Sequence, residues 1–342
     1  MQVYQIKAGQ QIAGLELIQR GAAVPAAHEM RVRMHAVSLN YRDLMIAQGR
    51  YPGISDTPVI PCSDGAGEVV AVGAGVKRFC VGDRVAGTFF PAWVNGAPTP
   101  QNTAGALGAA VDGMLAEEVV LHEEAAVTIP AHLNYAEAAA IPCAGVTAWN
   151  ALFVEGRAKP GDSVLLLGTG GVSIWALQLA KAAGLRTIIT SSSDEKLGRA
   201  RALGAAATIN YKTMPEWQEE VLRITGGRGV DLVLEVGGQG TLTRSISSAR
   251  MGGTIVIIGG VSGFGGEINP AVLIGGAKRL AGIFVGSRSM FEDLGKFIDV
   301  AGIHPVIDRI FPFNQAREAY THLERAGHFG KIVIEVGKRV KK

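Results

Sequence analysis

The chain has 342 residues and a formal net charge of +3, which is long enough for two domains and too weakly charged to indicate a nucleic-acid partner. Hydrophobic residues make up 48% of it and charged residues 18%, a balance typical of a globular protein with a large core. Its three cysteines form no Cys-x-x-Cys pair, so we expect no disulfide framework and a reducing, cytoplasmic location. The N-terminus lacks the apolar core of a signal peptide, and no apolar run reaches about 18 residues, so we expect no membrane association.

The N-terminal third is typical of a β-rich domain. Short apolar runs there are separated by Gly, Pro and Asp, the residues that punctuate strands. Strands are predicted at 29–37, 68–72, 84–87, 116–121 and 125–129.

Residues 88–113 are rich in Gly, Pro, Ala and Asn and have no clear period. A long irregular segment in a compact protein is usually functional or disordered. Its aromatic residues Phe89, Phe90 and Trp93 are candidates for the wall of an apolar substrate pocket. The alternative is a local hydrophobic cluster that holds the segment down.

From residue 135 the pattern changes, first to helical runs at 136–140 and 144–153 and then to alternating strands and helices. The predicted strands are 163–167, 186–190, 206–209, 230–234, 253–258 and 279–285. The predicted helices between them are 172–183, 194–203, 215–225 and 240–250, and helices at 290–300 and 315–326 precede a last strand at 331–336. Strands that alternate with helices indicate parallel βαβ units, so we predict an α/β fold with a doubly wound parallel sheet.

A glycine cluster connects the first of these strands to its helix. The predicted dinucleotide-binding residues are Gly168, Gly170, Gly171 and Val172. A helix that begins there directs unpaired N–H groups and the positive end of its dipole at the turn, which favours a pyrophosphate. Strand, glycine turn and helix in this order are the context that a Rossmann dinucleotide site requires. Ser173 replaces the third glycine of that pattern, a small change that a close contact between helix and strand can tolerate.

Serines follow the second strand of the alternating region. An NAD-binding protein usually has an Asp or Glu about 20 residues after the glycines, where it accepts hydrogen bonds from the adenosine ribose. This chain has Ser191 and Ser192 there, and Lys196 lies in the next helix. A serine can donate to a ribose 2′-phosphate that an acid would repel, so we favour NADP(H) over NAD(H). The alternatives are a serine that caps the helix and a lysine that lies on the surface.

Motifs along nearly the whole chain carry a family resemblance. They are PCSDGAGEVVAVG (61–73), VGDRV (81–85), PCAGVTAW (142–149), GDSVLLLGTGGVS (161–173) and GKIVIEV (330–336). In this order they resemble the medium-chain dehydrogenase/reductase superfamily, and above all its zinc-independent branch of quinone oxidoreductase-like and alcohol dehydrogenase-like proteins. The resemblance implies a split, β-rich (GroES-like) catalytic domain at 1–144 and 287–342, and a Rossmann domain at 145–286.

The resemblance also locates the positions of a catalytic zinc. The metal ligands of zinc-dependent relatives fall on Asn40, on the Ser63-Asp64 pair and on Cys143. A catalytic zinc needs three ligands among Cys, His and carboxylate side chains, and Asn40 and Ser63 are poor ligands. We therefore predict no zinc. Cys143 is interpreted as a small buried residue at a domain junction or as part of the substrate pocket.

Further contacts to the cofactor are implied by the same resemblance. They are Thr147, Tyr211, Gly259, Gly260, Phe284 and Val285, with Lys331 as an additional candidate. Tyr211 matches a position that contacts the adenosine 2′-phosphate, and the backbone of residues 284–285 matches the carboxamide contact. Ordinary structural glycines and core aromatics account equally well for Gly259, Gly260 and Phe284 if the resemblance is set aside.

Without a metal, a saturated ketone or alcohol is hard to activate, so the substrate has to carry its own electron sink. We predict hydride transfer from NADPH to a small-molecule quinone or α,β-unsaturated carbonyl compound. Asn40, Tyr41 and Ser63 are the candidate donors to the substrate oxygen, and Asp43 is an orienting residue. Arg42 is either a further donor or the partner of Asp43.

Two other functions stay open. One is an NAD(P)-dependent alcohol dehydrogenase or carbonyl reductase, and the other is a non-catalytic protein that binds NADPH. We also expect a homodimer that pairs through the apolar strand at 279–285, because an unpaired edge of this kind needs protection.

Overall fold

The structure is a computed structural model that describes residues 1–337, so residues 338–342 of the predicted segment 287–342 lie outside the described part. The chain divides into two compact units. Unit 1 consists of Met1–Val146 and the chain from Gly286 onward, and unit 2 consists of Thr147–Val285. Between residues 1 and 337, no helix combines the length and the apolar character needed to cross a lipid bilayer.

Unit 1 is built mainly from strands. In its N-terminal part they are β1 (Gln2–Gln5), β2 (Glu16–Gln19), β3 (Glu29–Leu39), β4 (Asp64–Val72), β5 (Arg84–Gly87), β6 (Glu118–His122) and β7 (Ala126–Thr128). Its helices there are α1 (Tyr41–Ala47), α2 (Pro100–Thr103) and α3 (Tyr135–Ala139). Val146 begins the short helix α4 (Val146–Trp149), which lies between two π-helical turns, Ile141–Gly145 and Asn150–Val154.

Unit 2 has six strands and five helices of its own after α4. The strands are β8 (Ser163–Leu166), β9 (Arg186–Ser191), β10 (Ala207–Asn210), β11 (Val230–Glu235), β12 (Ala249–Ile257) and β13 (Arg279–Gly282). The helices are α5 (Gly171–Ala182), α6 (Asp194–Ala202), α7 (Trp217–Ile224), α8 (Leu242–Ser248) and α9 (Pro270–Gly276). Unit 1 is then completed by α10 (Arg288–Ala301), β14 (Ile307–Pro312), α11 (Ala316–Glu324) and β15 (Lys331–Glu335).

The sheet of unit 2 is parallel throughout, in the order β10-β9-β8-β11-β12-β13. This is the strand order of a Rossmann fold, and it reverses between β8 and β11. Leu165, Ile188, Val233 and Ile255 lie in its core because both faces of a doubly wound sheet are covered by helices. The predicted α/β fold with a doubly wound sheet is confirmed.

The large sheet of unit 1 has the order β14-β15-β3-β4-β5-β7, with β6 paired to β3. Strand β3 is the longest of the unit, and its partners β4, β6 and β15 are all antiparallel to it. The pairing of β15 with β3 joins Ile332 to Leu39, so the C-terminal strand lies beside the residues that precede α1. Because Ser38 of β3 also pairs with Asp64 of β4, three distant parts of the sequence meet at one end of the sheet.

Several predicted boundaries in unit 2 were wrong, among them the ends of β13 and α8. The strand predicted at 253–258 also begins earlier, at Ala249. The strand predicted at 279–285 ends at Gly282, because its partner β12 ends at Ile257, the residue that pairs with Gly282. The helix predicted at 240–250 ends at Ser248, because Ala249 has an extended backbone and already pairs with Val230. In both cases strand pairing, and not local propensity, sets the boundary.

Candidate active site

The glycine turn between β8 and α5 has the geometry of an anion site. Gly168 has a φ of +72°, a conformation that favours glycine. A Cβ built on Gly168 or on Gly170 would meet no atom within 4 Å, so the space beside these residues is open. Gly170 is the N-cap of α5 and has no side chain to cap it, so the first N–H groups of the helix are directed at that space. Gly171 and Val172 form the first turn and are half-buried. These residues fit a dinucleotide pyrophosphate.

Ser173 explains how the glycine pattern tolerates a serine at its third position. The side chain is buried, and its Oγ donates a hydrogen bond to the carbonyl of Leu167 over 2.7 Å. The hydroxyl therefore ties α5 to the end of β8 at the place where a third glycine would allow close packing.

The serines after β9 have separate structural roles. Ser193 caps α6, since its Oγ accepts a hydrogen bond from the N–H of Lys196. Ser191 is the buried last residue of β9, and its carbonyl accepts a hydrogen bond from the N–H of Tyr211. Ser192 is half-buried between them. The structure thus brings Ser191 and Tyr211 together, and it gives the capping role to Ser193 alone.

The predicted nicotinamide contacts lie in several parts of unit 2. Thr147 is buried in α4, between two π-helical turns, a distortion that is frequent at functional sites. The carbonyl of Val285 accepts a hydrogen bond from Asn150 Nδ2 over 3.0 Å, and the side chain of Phe284 is 62% exposed. A Cβ on Gly260 would lie 2.7 Å from the ring of Phe264 and 2.9 Å from the carbonyl oxygen of Gly263, so packing against the backbone already favours glycine there. A Cβ on Gly259 would come within 3.3 Å of the carbonyl oxygen of Val236, so its surroundings are also tight.

Sequence reasoning missed Glu235, the fully buried last residue of β11. Its carboxylate accepts hydrogen bonds from the N–H groups of Gly237 and Gly238 and from the hydroxyls of Thr241 and Ser245. It therefore fixes the loop that follows β11, at the edge of the sheet where ligands bind in this fold. An acidic residue at the end of an apolar strand, followed by two glycines, was the available signal.

In unit 1, Asn40 is held at the start of α1. Its backbone N–H donates to Asp43 Oδ2 over 2.7 Å, so Asp43 contacts the backbone of Asn40. Burial raises the pKa of Asp43 from 3.8 to about 6, an effect that the neighbouring charge of Arg42 only partly offsets. Asp43 Oδ1 and Asn40 Nδ2 are both buried without a hydrogen-bond partner.

Lys331 lies beside the side chain of Asn40. This first residue of β15 is 3% exposed, and its Nζ donates to the carbonyl of Leu39 over 2.7 Å and to Asn40 Oδ1 over 2.5 Å. Asp64 Oδ2 lies 3.6 Å from the same Nζ. Lys331 is therefore engaged with these groups of unit 1.

Asp64 is fully buried and surrounded by donors. The hydroxyl of Ser63 donates to Oδ1 over 2.8 Å, and Oδ2 accepts from the hydroxyl of Ser38 and the backbone N–H of Cys143, each over 3.3 Å. This arrangement corrects the prediction for Ser63, because its single hydroxyl proton is directed at Asp64 and not at a substrate oxygen. The candidate donors that remain are Asn40 Nδ2 and the hydroxyl of Tyr41, a residue that is 39% exposed. Arg42 also keeps two buried donor atoms, Nε and Nη2, without a hydrogen-bond partner.

Cys143 lies in the π-helical turn Ile141–Gly145 and is half-buried, not fully buried as the sequence predicts. Burial, and after it the negative charge of Asp64, raises the pKa of the Cys143 thiol to about 12. The thiol is therefore protonated at neutral pH and is not a nucleophile.

The loop aromatics form a buried cluster around Arg42. The Arg42 guanidinium lies over the rings of Tyr51, at 4.6 Å, and Phe89, at 4.4 Å, and it donates to the carbonyl of Leu107 over 2.7 Å. Phe90 contacts both Phe89 and Trp93. Arg42 makes no direct ion pair with Asp43, so the expected pairing is replaced by stacking that holds residues 88–113 against α1. This clustering accounts for the burial of the rings without a substrate.

Two family profiles match the chain. The profile of the alcohol dehydrogenase GroES-like domain matches residues 26–131, and the profile of the zinc-binding dehydrogenase family matches residues 171–300. A zinc-type alcohol dehydrogenase-like protein of Schizosaccharomyces pombe is 46% identical over 314 residues, covering 90% of this chain and 91% of that protein. The chain belongs to the medium-chain dehydrogenase/reductase superfamily. It is an oxidoreductase of this superfamily, which uses a nicotinamide cofactor.

Two further members of the superfamily have different described activities. A quinone oxidoreductase of Pseudomonas aeruginosa is 32% identical over 325 residues, covering 91% of this chain and 92% of that protein. A solved structure of an NAD-dependent alcohol dehydrogenase is 34% identical with a TM-score of 0.90, covering 98% of this chain and 100% of that one. Alcohol dehydrogenase-like and quinone oxidoreductase-like proteins are thus both relatives of this chain.

The residues at the zinc position of the superfamily do not fit the metal. Asn40 Oδ1 and Asp64 Oδ2 already face the ammonium group of Lys331, and Asn40 and Ser63 are poor zinc ligands. Within the described residues, no group of three or more His, Cys, Asp and Glu side chains can hold a metal ion. A catalytic zinc site needs three such ligands and an open position.

Proposed function

We propose that this protein is an NADPH-dependent reductase that transfers hydride, without zinc, to a quinone or an α,β-unsaturated carbonyl compound. The observation that carries the proposal is the cluster around Asn40, where an unpartnered amide donor and a buried lysine lie among the positions that match zinc ligands. A substrate that no metal polarises needs a conjugated system, which moves charge from the attacked carbon to an oxygen. The bound cofactor supplies the hydride, and the chain has to stabilise that charge.

Two side chains of unit 1 are suited to this task. Asn40 Nδ2 has no partner, so it is available to donate a hydrogen bond to the oxygen that becomes negative. Tyr41 follows it as the first residue of α1, and its hydroxyl is a candidate proton donor. Asp43 acts on Asn40 through the backbone N–H and does not reach the substrate in this proposal. We keep four residues as the proposed lining of the substrate pocket, namely Phe89, Phe90, Trp93 and Cys143.

The preference for NADPH is supported by the end of β9. Ser191 stands where an NAD-binding protein usually has an acid, and Tyr211 lies next to it through its N–H bond to the Ser191 carbonyl. Ser192 and Lys196 are close in sequence and complete the proposed 2′-phosphate contacts. The carboxylate of Asp194 accepts a hydrogen bond from Asn210 Nδ2 over 2.9 Å, so this acid is engaged with the end of β10.

A substrate panel tests the proposal. Purified protein is mixed with NADPH or NADH and with quinones, enones, enals, saturated aldehydes and simple ketones, while NAD(P)H absorbance is followed. We expect oxidation of NADPH with the conjugated acceptors and little with the saturated ones. Oxidation of alcohols with no reduction of quinones or enones would reject the proposal.

An alcohol dehydrogenase is the second candidate. It is favoured by the 34% identical structure described as an NAD-dependent alcohol dehydrogenase. Turnover of an alcohol with NAD⁺ in the reverse panel would support it, whereas tight NADPH binding without turnover would favour a non-catalytic protein.

We also propose a homodimer formed through unit 2. Strand β13 lies at one edge of its sheet, and the nearby segment exposes Phe264 at 75% and Ile274 at 80%. Exposed apolar side chains beside an unpaired strand favour pairing with a second copy. Sedimentation at micromolar concentration should give a dimer, and Ile274→Glu should weaken it while the exposed control Val300→Glu should not. A monomer in the unmodified protein would contradict this proposal.

A reducing compartment such as the cytoplasm is proposed from the cysteines. All three are free thiols in the structure, and Cys80 is exposed. An exposed free cysteine is more usual where thiols stay reduced. Detection of the protein in a cytoplasmic fraction would test the proposal, and recovery from an oxidising compartment would reject it.

A further inference from the structure

The contacts of Lys331 do more than balance its charge, because they also constrain the groups that surround its Nζ. Its side chain is 3% exposed, although it belongs to the most water-seeking class of side chains. Its Nζ has three oxygen neighbours, namely Leu39 O at 2.7 Å, Asn40 Oδ1 at 2.5 Å and Asp64 Oδ2 at 3.6 Å. A lysine Nζ donates hydrogen bonds and does not accept them when protonated. Each of its neighbours must therefore present an acceptor to it.

This requirement determines the orientation of the Asn40 carboxamide. The amide has an oxygen that accepts and a nitrogen that donates, and only the oxygen can face Lys331 Nζ. The nitrogen Nδ2 is consequently turned away from Lys331, and it is buried without a partner. Rotation of the amide by 180° would direct its NH₂ group at the Lys331 ammonium group. Two donors would then face each other, and the hydrogen bond from Lys331 Nζ to Asn40 would be lost.

The rest of the cluster supports the same arrangement. Asp64 is the counter-ion of Lys331, and the hydroxyl of Ser63 and the backbone N–H of Cys143 hold its carboxylate. Asp43 fixes the backbone of Asn40 by accepting its N–H. Asn40 is thus held at the backbone by one acid and at the side chain by Lys331, and its Nδ2 is left as the donor without a partner.

We propose that Lys331 is a positioning residue that locks the Asn40 amide so that Nδ2 donates to the substrate oxygen. The inference deepens the proposed function and rests on it for the role of Asn40. It assigns to Lys331 an effect on the chemical step through Asn40, not a contact with the cofactor. This effect is distinct from the general stability that a buried ion pair provides.

The test is a double-mutant cycle with Lys331→Met and Asn40→Ala, read as kcat for the best conjugated acceptor. We expect each single variant to lose at least tenfold in kcat, with NADPH affinity changed less than threefold. Because Lys331 acts through Asn40, the double variant should be within threefold of Asn40→Ala alone. Losses that multiply, or an unchanged kcat in Lys331→Met, would overturn the proposal.

Controls separate positioning from folding. Lys331→Met leaves the buried carboxylate of Asp64 without its counter-ion, so the pair Lys331→Met with Asp64→Asn is made as well, and melting temperatures are measured for all variants. Lys331→Arg keeps a donor and should recover part of kcat. Lys296→Met removes a lysine of the same unit whose side chain is 77% exposed, and it should leave kcat unchanged.

A binding readout distinguishes failure of this inference from failure of the proposed function. The side-chain amide of Asn40 is followed by NMR in protein labelled at asparagine, with NADP⁺ and 2-cyclohexen-1-one as the probe. Asn40→Ala identifies the signal. We expect the probe to shift this signal in the unmodified protein and not in Lys331→Met. A shift that persists in Lys331→Met would overturn the positioning role, whatever the turnover assay gives.

Discussion

The glycine turn of unit 2 and the Asn40 cluster of unit 1 differ in how the chain builds them. The turn is local, since β8, the glycines and α5 follow one another within 163–182, and its ligand groups are backbone N–H groups. The cluster is assembled from α1, the start of β4, the π-helical turn at Cys143 and the start of β15. Its groups are side chains that determine one another's orientation. Cofactor binding should therefore respond to single local changes, whereas the chemical step should respond to partners that are distant in sequence.

Asn40→Ala is expected to have the largest effect on activity. Loss of a donor to a developing oxyanion typically costs about 10²–10³ in kcat, and the amide nitrogen of Asn40 has no structural partner to lose. Steady-state kinetics with a quinone give the value. Asn314→Ala, at an exposed position of the same unit, serves as the control, and equal kcat in both variants would remove Asn40 from the mechanism.

Asp43→Asn is expected to change the dependence of stability on pH. The pKa of Asp43 rises from 3.8 to about 6 on folding, so between these values the folded state keeps a proton that the unfolded state has released. The resulting stability is present below pH 3.8 and is lost as the pH rises through about 6. The loss amounts to roughly 3 kcal/mol. An asparagine still accepts the Asn40 N–H and carries no charge.

Urea unfolding between pH 4 and pH 8 measures this effect. The free energy of unfolding should fall with pH in the unmodified protein more steeply than in Asp43→Asn, and the variant should be the more stable one at pH 8. Identical slopes in the two proteins would show that Asp43 does not titrate in this window.

Ser191→Asp is expected to reverse the cofactor preference. A carboxylate at the end of β9 would repel a 2′-phosphate and accept hydrogen bonds from a ribose, so NADPH should bind at least tenfold more weakly, about 1.4 kcal/mol. NADH binding should be unchanged or tighter. Fluorescence titration gives both affinities, with Ser247→Asp on the exposed side of α8 as the control. Equal losses for NADPH and NADH would reject Ser191 as a phosphate contact.

Ser173→Ala is expected to have the smallest effect. It removes the hydrogen bond to the carbonyl of Leu167 and leaves that carbonyl without its partner, which costs about 1 kcal/mol. The effect belongs to the stability of unit 2 and should leave kcat alone. Thermal unfolding measures it against Ser247→Ala, which should change stability by less than about 0.5 kcal/mol.

The sequence predicts the fold well because the signals of the fold are local. Alternating strands and helices indicate the doubly wound sheet, and the glycines identify the turn that follows β8. The boundaries of β13 and α8 were missed because strand pairing with β12 and β11 determines them, and no local pattern records the end of a partner strand.

The sequence predicts the candidate site only in part. The resemblance identifies four residues at the zinc position, namely Asn40, Ser63, Asp64 and Cys143. Neither the resemblance nor the spacing shows that the hydroxyl of Ser63 donates its hydrogen bond to Asp64. From the sequence, Lys331 is only an additional candidate for a contact to the cofactor. Its role beside Asn40 depends on the pairing of β15 with β3, a contact between residues about 290 positions apart. Interactions between side chains over such separations follow only from the folded structure.

We propose that hydride transfer by this protein needs no zinc. The most direct measurement is the rate of NADPH oxidation by 1,4-benzoquinone before and after treatment with 1,10-phenanthroline, with the metal content of the protein determined on the same sample. We expect the rate of NADPH oxidation to be unchanged by the chelator and the protein to contain no stoichiometric zinc. A rate that falls with the chelator and returns when zinc is added would contradict it.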